Sequence, residues 1–304
     1  MTSSENSRGA LFMALAMAAF TCNDALVKSV TPELGIGQIM AVRGVMATTL
    51  IYCVARYMGV TLSLKAVMQP LVLLRTVFEL GATLTFLSAL AHIEFAAISS
   101  IMQALPLAVT LGAALFLGEP VGWRRWTAIG IGFLGVLIII RPGPEGFTPA
   151  ALLAVVACCC TACRDLTTKR IRADTPSLTL TLFTSLANTV LGAILIVPMG
   201  GWQPVSTYAL GHLAVASVLV FAGYQAVIQS MRTGEISFIA PFRYTGLLWA
   251  LFIGFFAFGE RPNAYMLVGA AVVIGSGLYT FYRERKRQNG IAEKATAGLT
   301  GGRS

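Results

Sequence analysis

Asp24 and Lys28 stand four residues apart, and Asp165 and Lys169 repeat the pair 141 positions later. Arg75 and Glu79 share the same spacing. Residues four apart lie on one face of an α-helix, so each pair can neutralise itself within its own turn. All six lie within or at the ends of strongly apolar stretches, where a central charge costs roughly 2.5–3.5 kcal/mol on insertion scales and needs a partner or a wet cavity. The two Asp–Lys pairs fall at segment ends, and serve there either as ion pairs holding helix ends or as a gate. Arg43, Arg164 and Arg243 have no obvious partner in their own segments. Arg43, Arg75, Glu79 and Arg243 either line a central cavity or serve packing.

Near these charges are Asn23, Gln103, Asn188, Tyr224, Gln225, Tyr244 and Trp249, which can hydrogen-bond a solute or stack on a planar one. The chemistry of such a set is recognition. Bond-making machinery is not legible: there is no Gly-rich phosphate loop, no paired-His metal motif and no nucleophile elbow. The two histidines, His92 and His212, are far apart. Six cysteines (Cys22, Cys53, Cys158, Cys159, Cys160 and Cys163) all fall in apolar segments, and the run at 158–163 has no histidine near it. It reads as small residues packing a helix. The expectation is therefore no catalytic residue, no metal and no cofactor.

The segments that must hold these groups are membrane spans. Hydrophobic residues make up 56% of 304 positions and charged residues 12%, with mean hydropathy +0.76. Soluble domains carry about 25% charged residues, so this chain cannot clothe a water-soluble globule. The net charge of +9 forms no basic stripe with interleaved aromatics, so nucleic acid is not an expected partner. The lipid bilayer is. The short polar Met1–Arg8 precedes a first apolar segment too long for a signal peptide's core.

Phe95–Gly118 is 24 residues without a formal charge, enough to cross a bilayer core of about 30 Å as a helix. Glu94 and Glu119 frame it, with Pro120 following. Glu235 and Glu260 frame a second stretch of 24 residues, charged only at Arg243, with Pro262 just beyond, at an offset of 141 (235 − 94 and 260 − 119). The same offset relates Cys22 to Cys163, Asp24 to Asp165, Lys28 to Lys169 and Gly118 to Gly259. The chain reads as one unit written twice.

Ten spans are expected, at about 9–28, 38–58, 68–91, 95–118, 123–140, 149–169, 177–198, 207–231, 237–259 and 263–282. This is an all-α integral membrane fold of two five-helix repeats. Repeat one occupies 9–141 after a cytoplasmic tail of 1–8; repeat two occupies 149–282, after a linker of 142–148 and before a basic cytoplasmic tail of 283–304. With the N-terminus inside, Arg8, Arg56, Lys65, Arg124, Arg125, Lys169, Arg170, Arg172, Arg232 and the tail lie on the cytoplasmic side, against Lys28, Arg141 and Arg261 outside. Because five is odd, the second repeat is inverted relative to the first, the arrangement of many secondary transporters.

The two copies end LFLGEPVGW (Leu115–Trp123) and FAFGERPN (Phe256–Asn263), each followed by a Gly-rich last span. In this the chain resembles the EamA branch of the drug/metabolite transporter superfamily along essentially its whole length. CNDALVK (Cys22–Lys28) and APFRYTGL (Ala240–Leu247) are similar to a subgroup that includes bacterial riboflavin and S-adenosylmethionine uptake carriers. The resemblance implies ten helices in the bacterial inner membrane, alternating access, and a small-molecule solute between the halves. Riboflavin uptake is the first expectation, S-adenosylmethionine uptake or efflux of an amino acid or metabolite the next. A membrane-embedded enzyme or a non-transporting interaction protein is the alternative class. Monomer and homodimer both stay open. One departure is that Pro106 has Leu247 at its equivalent position while Pro241 comes earlier, which argues against symmetric motion of the two copies. Reporter tags inserted after Gly146 and after Arg172 are expected on opposite sides of the membrane, outside and inside respectively; both on one side would refute the inverted duplication.

Overall fold

A computed structural model describes residues 3–60, 67–119, 122–140, 148–171, 177–233 and 236–300. Lys65, Pro120, the Arg141–Gly146 turn with most of the expected linker, Arg172 and Glu235 lie outside the described residues. So do the side chains of Arg232 and of most of the expected basic tail.

The described residues are helical, and ten segments are long and apolar enough to cross a membrane. A helix satisfies its own backbone groups, which hydrocarbon cannot do. The elements are α1 (Ser3–Val30), α2 (Ile36–Tyr57), α3 (Pro70–Leu90), α4a (Phe95–Met102), α4b (Leu105–Phe116), α5 (Trp123–Ile140), α6 (Pro149–Arg170), α7 (Ser177–Leu195), α8 (Thr207–Thr233), α9a (Ile236–Ile239), α9b (Thr245–Phe258) and α10 (Ala264–Thr300). The last helix continues well past the expected end of its span. Short connections make successive spans antiparallel. One face of the bundle therefore carries both termini, and the far face carries the α1–α2, α3–α4, α5–α6, α7–α8 and α9–α10 connections.

Packing repeats across the halves. α1 lies along α8 as α6 lies along α3; α2 pairs with α7 and α5 with α10. Exchanging each helix for its counterpart in the other repeat maps this network onto itself. Two contacts join residues that are equivalents at the 141 offset: the hydroxyls of Thr48 and Thr189, 3.4 Å apart, and Gln103 Nε2, which donates to the Tyr244 carbonyl at 3.2 Å. A residue touching its own counterpart marks the pseudo-twofold axis. It passes between α2 and α7 and between the two fourth spans, α4 and α9.

Both fourth spans are broken at that level. In α4 the chain turns at Gln103–Ala104 before Pro106, and in α9 a 3-10 turn covers Ala240–Tyr244, with Pro241 at its start. Proline lacks the N–H that an α-helix bonds four residues back. The two prolines are not equivalent in sequence, yet each opens its helix beside the same point on the axis. Each repeat then ends in the same turn. Gly118 and Gly259 both adopt φ +64°, and Glu119 N–H and Glu260 N–H donate back to the carbonyls of Ala113 and Gly254. The left-handed backbone favours glycine there.

Small side chains share the interior with large ones such as Phe95, Ile98 and Leu107. Ala16, Ala154, Ala157, Ala209 and Ala216 are fully buried, whereas Leu134, Leu248, Phe252, Phe255 and Phe256 face outward. Lipid accepts large apolar groups as well as a core does, so interfaces are left to residues that let backbones approach. A Cβ on Gly269 would lie 2.6 Å from the Gly135 carbonyl oxygen, and one on Gly192 would lie 2.5 Å from Ala41 N. Gly269→Leu is expected to separate α5 from α10 and lower stability by about 1–3 kcal/mol, as overpacking does. Gly130→Leu, where no atom lies within 4 Å, is the control. Thermal unfolding in detergent reads both.

Candidate functional site

α3 and α6 face each other along most of their length, and this interface carries the charge. Arg164 on α6 is the hub. Its Nη1 donates to Glu79 Oε2 of α3 at 2.9 Å, and its Nη2 and Nε donate to Asp165 Oδ1 at 2.7 and 2.9 Å. One planar guanidinium thus binds two carboxylates, a task that suits its fixed fork of donors. One turn before Glu79, Arg75 donates from Nε to Thr168 Oγ1 at 3.0 Å and from Nη1 to Thr184 Oγ1 at 2.8 Å. Both hydroxyls spend their own protons on helix carbonyls, those of Arg164 and Leu180, so only lone pairs face Arg75. Among the described residues no carboxylate lies within ion-pair distance of Arg75.

These groups line a cavity of about 310 Å³ enclosed by α2, α3, α6, α7 and α8. Arg43, Gly44, Ala47 and Ile51 form one wall, Thr181, Thr184, Ser185 and Asn188 another, and Tyr224 closes a third side. Most of the lining comes from the halves of these helices nearer the termini, with Met40 and Leu87 reaching toward the far face, so the cavity lies mid-bundle and extends toward the face of the termini. Asn188 Nδ2 donates to the Thr184 carbonyl at 3.1 Å, which fixes the amide and leaves its buried Oδ1 as an acceptor without a partner. The Tyr224 ring meets Phe20 edge-on, with centroids 5.2 Å apart. Asp24 supplies the countercharge to Arg43 without a direct ion pair, and accepts from Asn23 Nδ2 at 2.8 Å.

The charge does not follow the pseudo-twofold. The counterparts of Arg75, Glu79 and Arg164 at the 141 offset are Ala216, Val220 and Asn23. Of the charges lining the cavity, only Asp165 has a charged counterpart, Asp24, and each aspartate is held by the side chain just before it, Asn23 to Asp24 and Arg164 to Asp165. One helix interface is charged and its equivalent is nearly neutral.

Set beside the sequence reading, the cavity gathers Arg43, Arg75, Glu79, Asn188, Tyr224 and Asp165. It does not gather the rest. Arg243 is exposed away from it; Gln225 and Trp249 are also exposed and do not line it. Gln103 and Tyr244 meet at the axis instead. None of the three expected pairs at spacing four closes within its own helix. Lys28 pairs with Glu260 at 3.4 Å and Lys169 with Glu119 at 3.8 Å, while Glu79 and Asp165 share Arg164. A bond along one helix surface is worth only about 0.3–0.5 kcal/mol, whereas a partner on a facing helix removes the isolated charge from hydrocarbon. The sequence reading left Arg164 without a partner, and took Glu119 and Glu260 only as frame markers. One signal was present: both acids and both lysines obey the 141 offset.

The far face is stitched shut across the halves. Gln38 and Gln203 bond reciprocally, the Gln38 amide donating to the Gln203 carbonyl at 2.7 Å and Gln203 N–H to Gln38 Oε1 at 3.0 Å. Ser206 Oγ donates to Glu33 Oε2 at 2.6 Å. Glu260 also accepts from Phe95 and Ala96 N–H, at 2.6 and 3.1 Å.

Two intertwined five-helix repeats around a polar cavity, closed on one face, define a multi-pass membrane protein with the build of a carrier. The profile of the EamA-like transporter family matches twice, at residues 7–141 and 148–282, and the chain belongs to that family. A riboflavin transporter of Vibrio cholerae is 27% identical over 92% of this chain and 95% of its own length. An S-adenosylmethionine uptake transporter of Rickettsia conorii is 26% identical over 61% of this chain and 62% of its own. A pseudopaline exporter of Pseudomonas aeruginosa is 26% identical over 88% and 93%. A crystal structure with 17% sequence identity superposes with a TM-score of 0.65 over 92% of this chain and 98% of its own, which shows the same fold.

Arg164→Met strands Glu79 and Asp165, and is expected to cost about 2 kcal/mol, below the range for a fully buried pair because Arg164 and Glu79 keep 19% and 17% exposure. Adding Glu79→Gln to the same chain should recover part of that loss. A double-mutant cycle on thermal unfolding in detergent measures the coupling.

Proposed function

We propose that this protein is a secondary carrier that imports riboflavin across the bacterial inner membrane by alternating access, with both termini in the cytoplasm. The observation that carries the reading is the donor-bearing cavity: Arg75 fastened by two hydroxyls with no carboxylate within ion-pair distance among the described residues, beside the free acceptor of Asn188 and the ring of Tyr224. Riboflavin is a flat, neutral ring system with an imide edge of carbonyls and one N–H. Guanidinium donors suit the carbonyls, the amide acceptor suits the N–H, and a tyrosine face suits the ring. S-adenosylmethionine carries a sulfonium cation, and three arginines against two acids in the lining make a poor host for it. One chain encloses the whole cavity, so transport needs no second copy. No bond is made or broken in this reading, which distinguishes it from a membrane-embedded enzyme.

The cytoplasmic placement of the termini rests on the excess of Lys and Arg in the loops on that face. In this orientation the cavity runs toward the cytoplasm and the stitched face is the outer one. A second reading, export of an anionic metabolite, is favoured by the same Arg75, since a carboxylate would pair with it directly.

Counterflow of radiolabelled riboflavin into liposomes bearing the purified protein tests the proposal. Saturable uptake is expected, lost in Arg75→Ala and reduced about tenfold in Tyr224→Ala, the rate equivalent of a lost ring contact. Arg243→Ala and Trp249→Ala, outside the cavity, should retain it. Absence of riboflavin counterflow from correctly inserted protein would overturn the substrate, and counterflow of S-adenosylmethionine or of a carboxylate metabolite instead would reassign it.

A further inference from the structure

The four residues Lys28, Lys169, Glu119 and Glu260 form two ion pairs that are equivalents of one another at the 141 offset. Each joins the first span of one repeat to the Gly–Glu turn after the fourth span of the other. Because the repeats are inverted, Lys28–Glu260 lies at the far face and Lys169–Glu119 at the face of the termini.

The two pairs are in different states. Lys28 and Glu260 are only 16% and 10% exposed, and the surrounding backbone holds both. Phe95 and Ala96 N–H donate to the carboxylate, while the ammonium donates to the carbonyls of Ile93 and Leu90 and lies 5.6 Å from the Phe258 ring centre. Lys169 and Glu119 are 54% and 49% exposed, at 3.8 Å. An open, hydrated pair of this kind is worth little. The tight pair is at the face where the cavity is closed, and the loose pair is at the face toward which it runs.

We propose that these pairs are reciprocal latches, and that their exchange sets which face of the carrier is shut. When Glu260 lets go of Lys28 and the far face parts, Glu119 and Lys169 are drawn together and buried, closing the other face. Two equivalent sequences in opposite orientation can each adopt the environment its counterpart has here, so the two end states have similar energies and each latch opposes the other. Lys28 and Lys169 are positioning residues in this scheme: they lie outside the cavity lining and act on access to it. The inference rests on alternating access but not on the identity of the solute.

The test uses the full-length chain with Ala47→Cys, which places a thiol on the cavity wall, in vesicles exposing the face of the termini and with no solute present. A membrane-impermeant thiol reagent is added, and labelling at position 47 is followed by peptide-resolved mass spectrometry. Adding Glu260→Gln, or Lys28→Gln as a second way to remove the same pair, is expected to lower the labelling rate about fivefold by shifting the population away from the present state. Adding Glu119→Gln should leave it unchanged or raise it. Lys28→Arg, which keeps a cationic donor facing Glu260 and the Ile93 and Leu90 carbonyls, should hold the rate near that of the parent, which a merely misfolded variant would not do. Unchanged labelling on removal of the Lys28–Glu260 pair, or an equal fall with Glu119→Gln, would overturn the latch. Since no solute enters the measurement, either result is independent of riboflavin counterflow.

Discussion

A charge inside a bilayer must bring its solvent with it, and in this protein side chains on facing helices serve as that solvent. Arg164 is the centre of the arrangement. Bonded to Glu79 across the helix interface and to Asp165 beside it, it lets three ionised groups stay in the membrane with one excess negative charge among them. Arg75, next to this cluster, then restores the balance without being drawn into it, because two threonine hydroxyls hold it on the cavity wall. The cavity owes its donor-bearing wall to that division of labour: one arginine pairs with the acids and another is left to meet a solute.

The second constraint is close approach. Large side chains such as Phe95, Ile98 and Leu107 fill part of the core, but where backbones meet the helices do so through alanine and glycine. Gly135 with Gly269, and Gly192 against Ala41, bring α5 to α10 and α2 to α7 at backbone contact. These are the pairs related to themselves by the pseudo-twofold axis, and they join the two repeats. Of the polar contacts on that axis, Thr48 with Thr189 joins α2 to α7, and Gln103 with Tyr244 falls where α4 and α9 are broken. Symmetry thus organises the frame, whereas the charged lining departs from it. A carrier built this way can have two similar end states and still present one chemically directed site, since the residues facing the solute need not be duplicated with the helices that move.

Much of the architecture was legible along the chain. Ten spans follow from runs of about 20 apolar residues, and the ten apolar helices of the structure agree. The inverted duplication followed from matched Asp, Lys and Glu at one offset. The breaks in the fourth spans were signalled by Pro106 and Pro241, although their inequivalence suggested an asymmetry that the aligned breaks do not show. The site was legible only in part. Arg43, Arg75, Glu79 and Tyr224 do border the cavity, but Gln225, Arg243 and Trp249, equally polar or aromatic on equally apolar helices, face elsewhere. Period and composition do not say which face of a helix turns toward a cavity when lipid makes the outward faces apolar too.

The sequence by itself determined what depends on neighbours in the chain: span length, span number, the repeat and its inversion, and the glycine turns before Glu119 and Glu260. Only the tertiary structure decided what depends on neighbours across it. Every predicted pairing at four residues' separation gave way to a partner on another segment or to an adjacent residue: Lys28 to Glu260, Lys169 to Glu119, Glu79 to Arg164, Arg75 to Thr168 and Thr184. The reason is physical. Hydropathy is summed residue by residue, so a window of sequence contains it. The stabilisation of a buried charge depends on the distance and burial of its partner, and these exist only once the helices have packed.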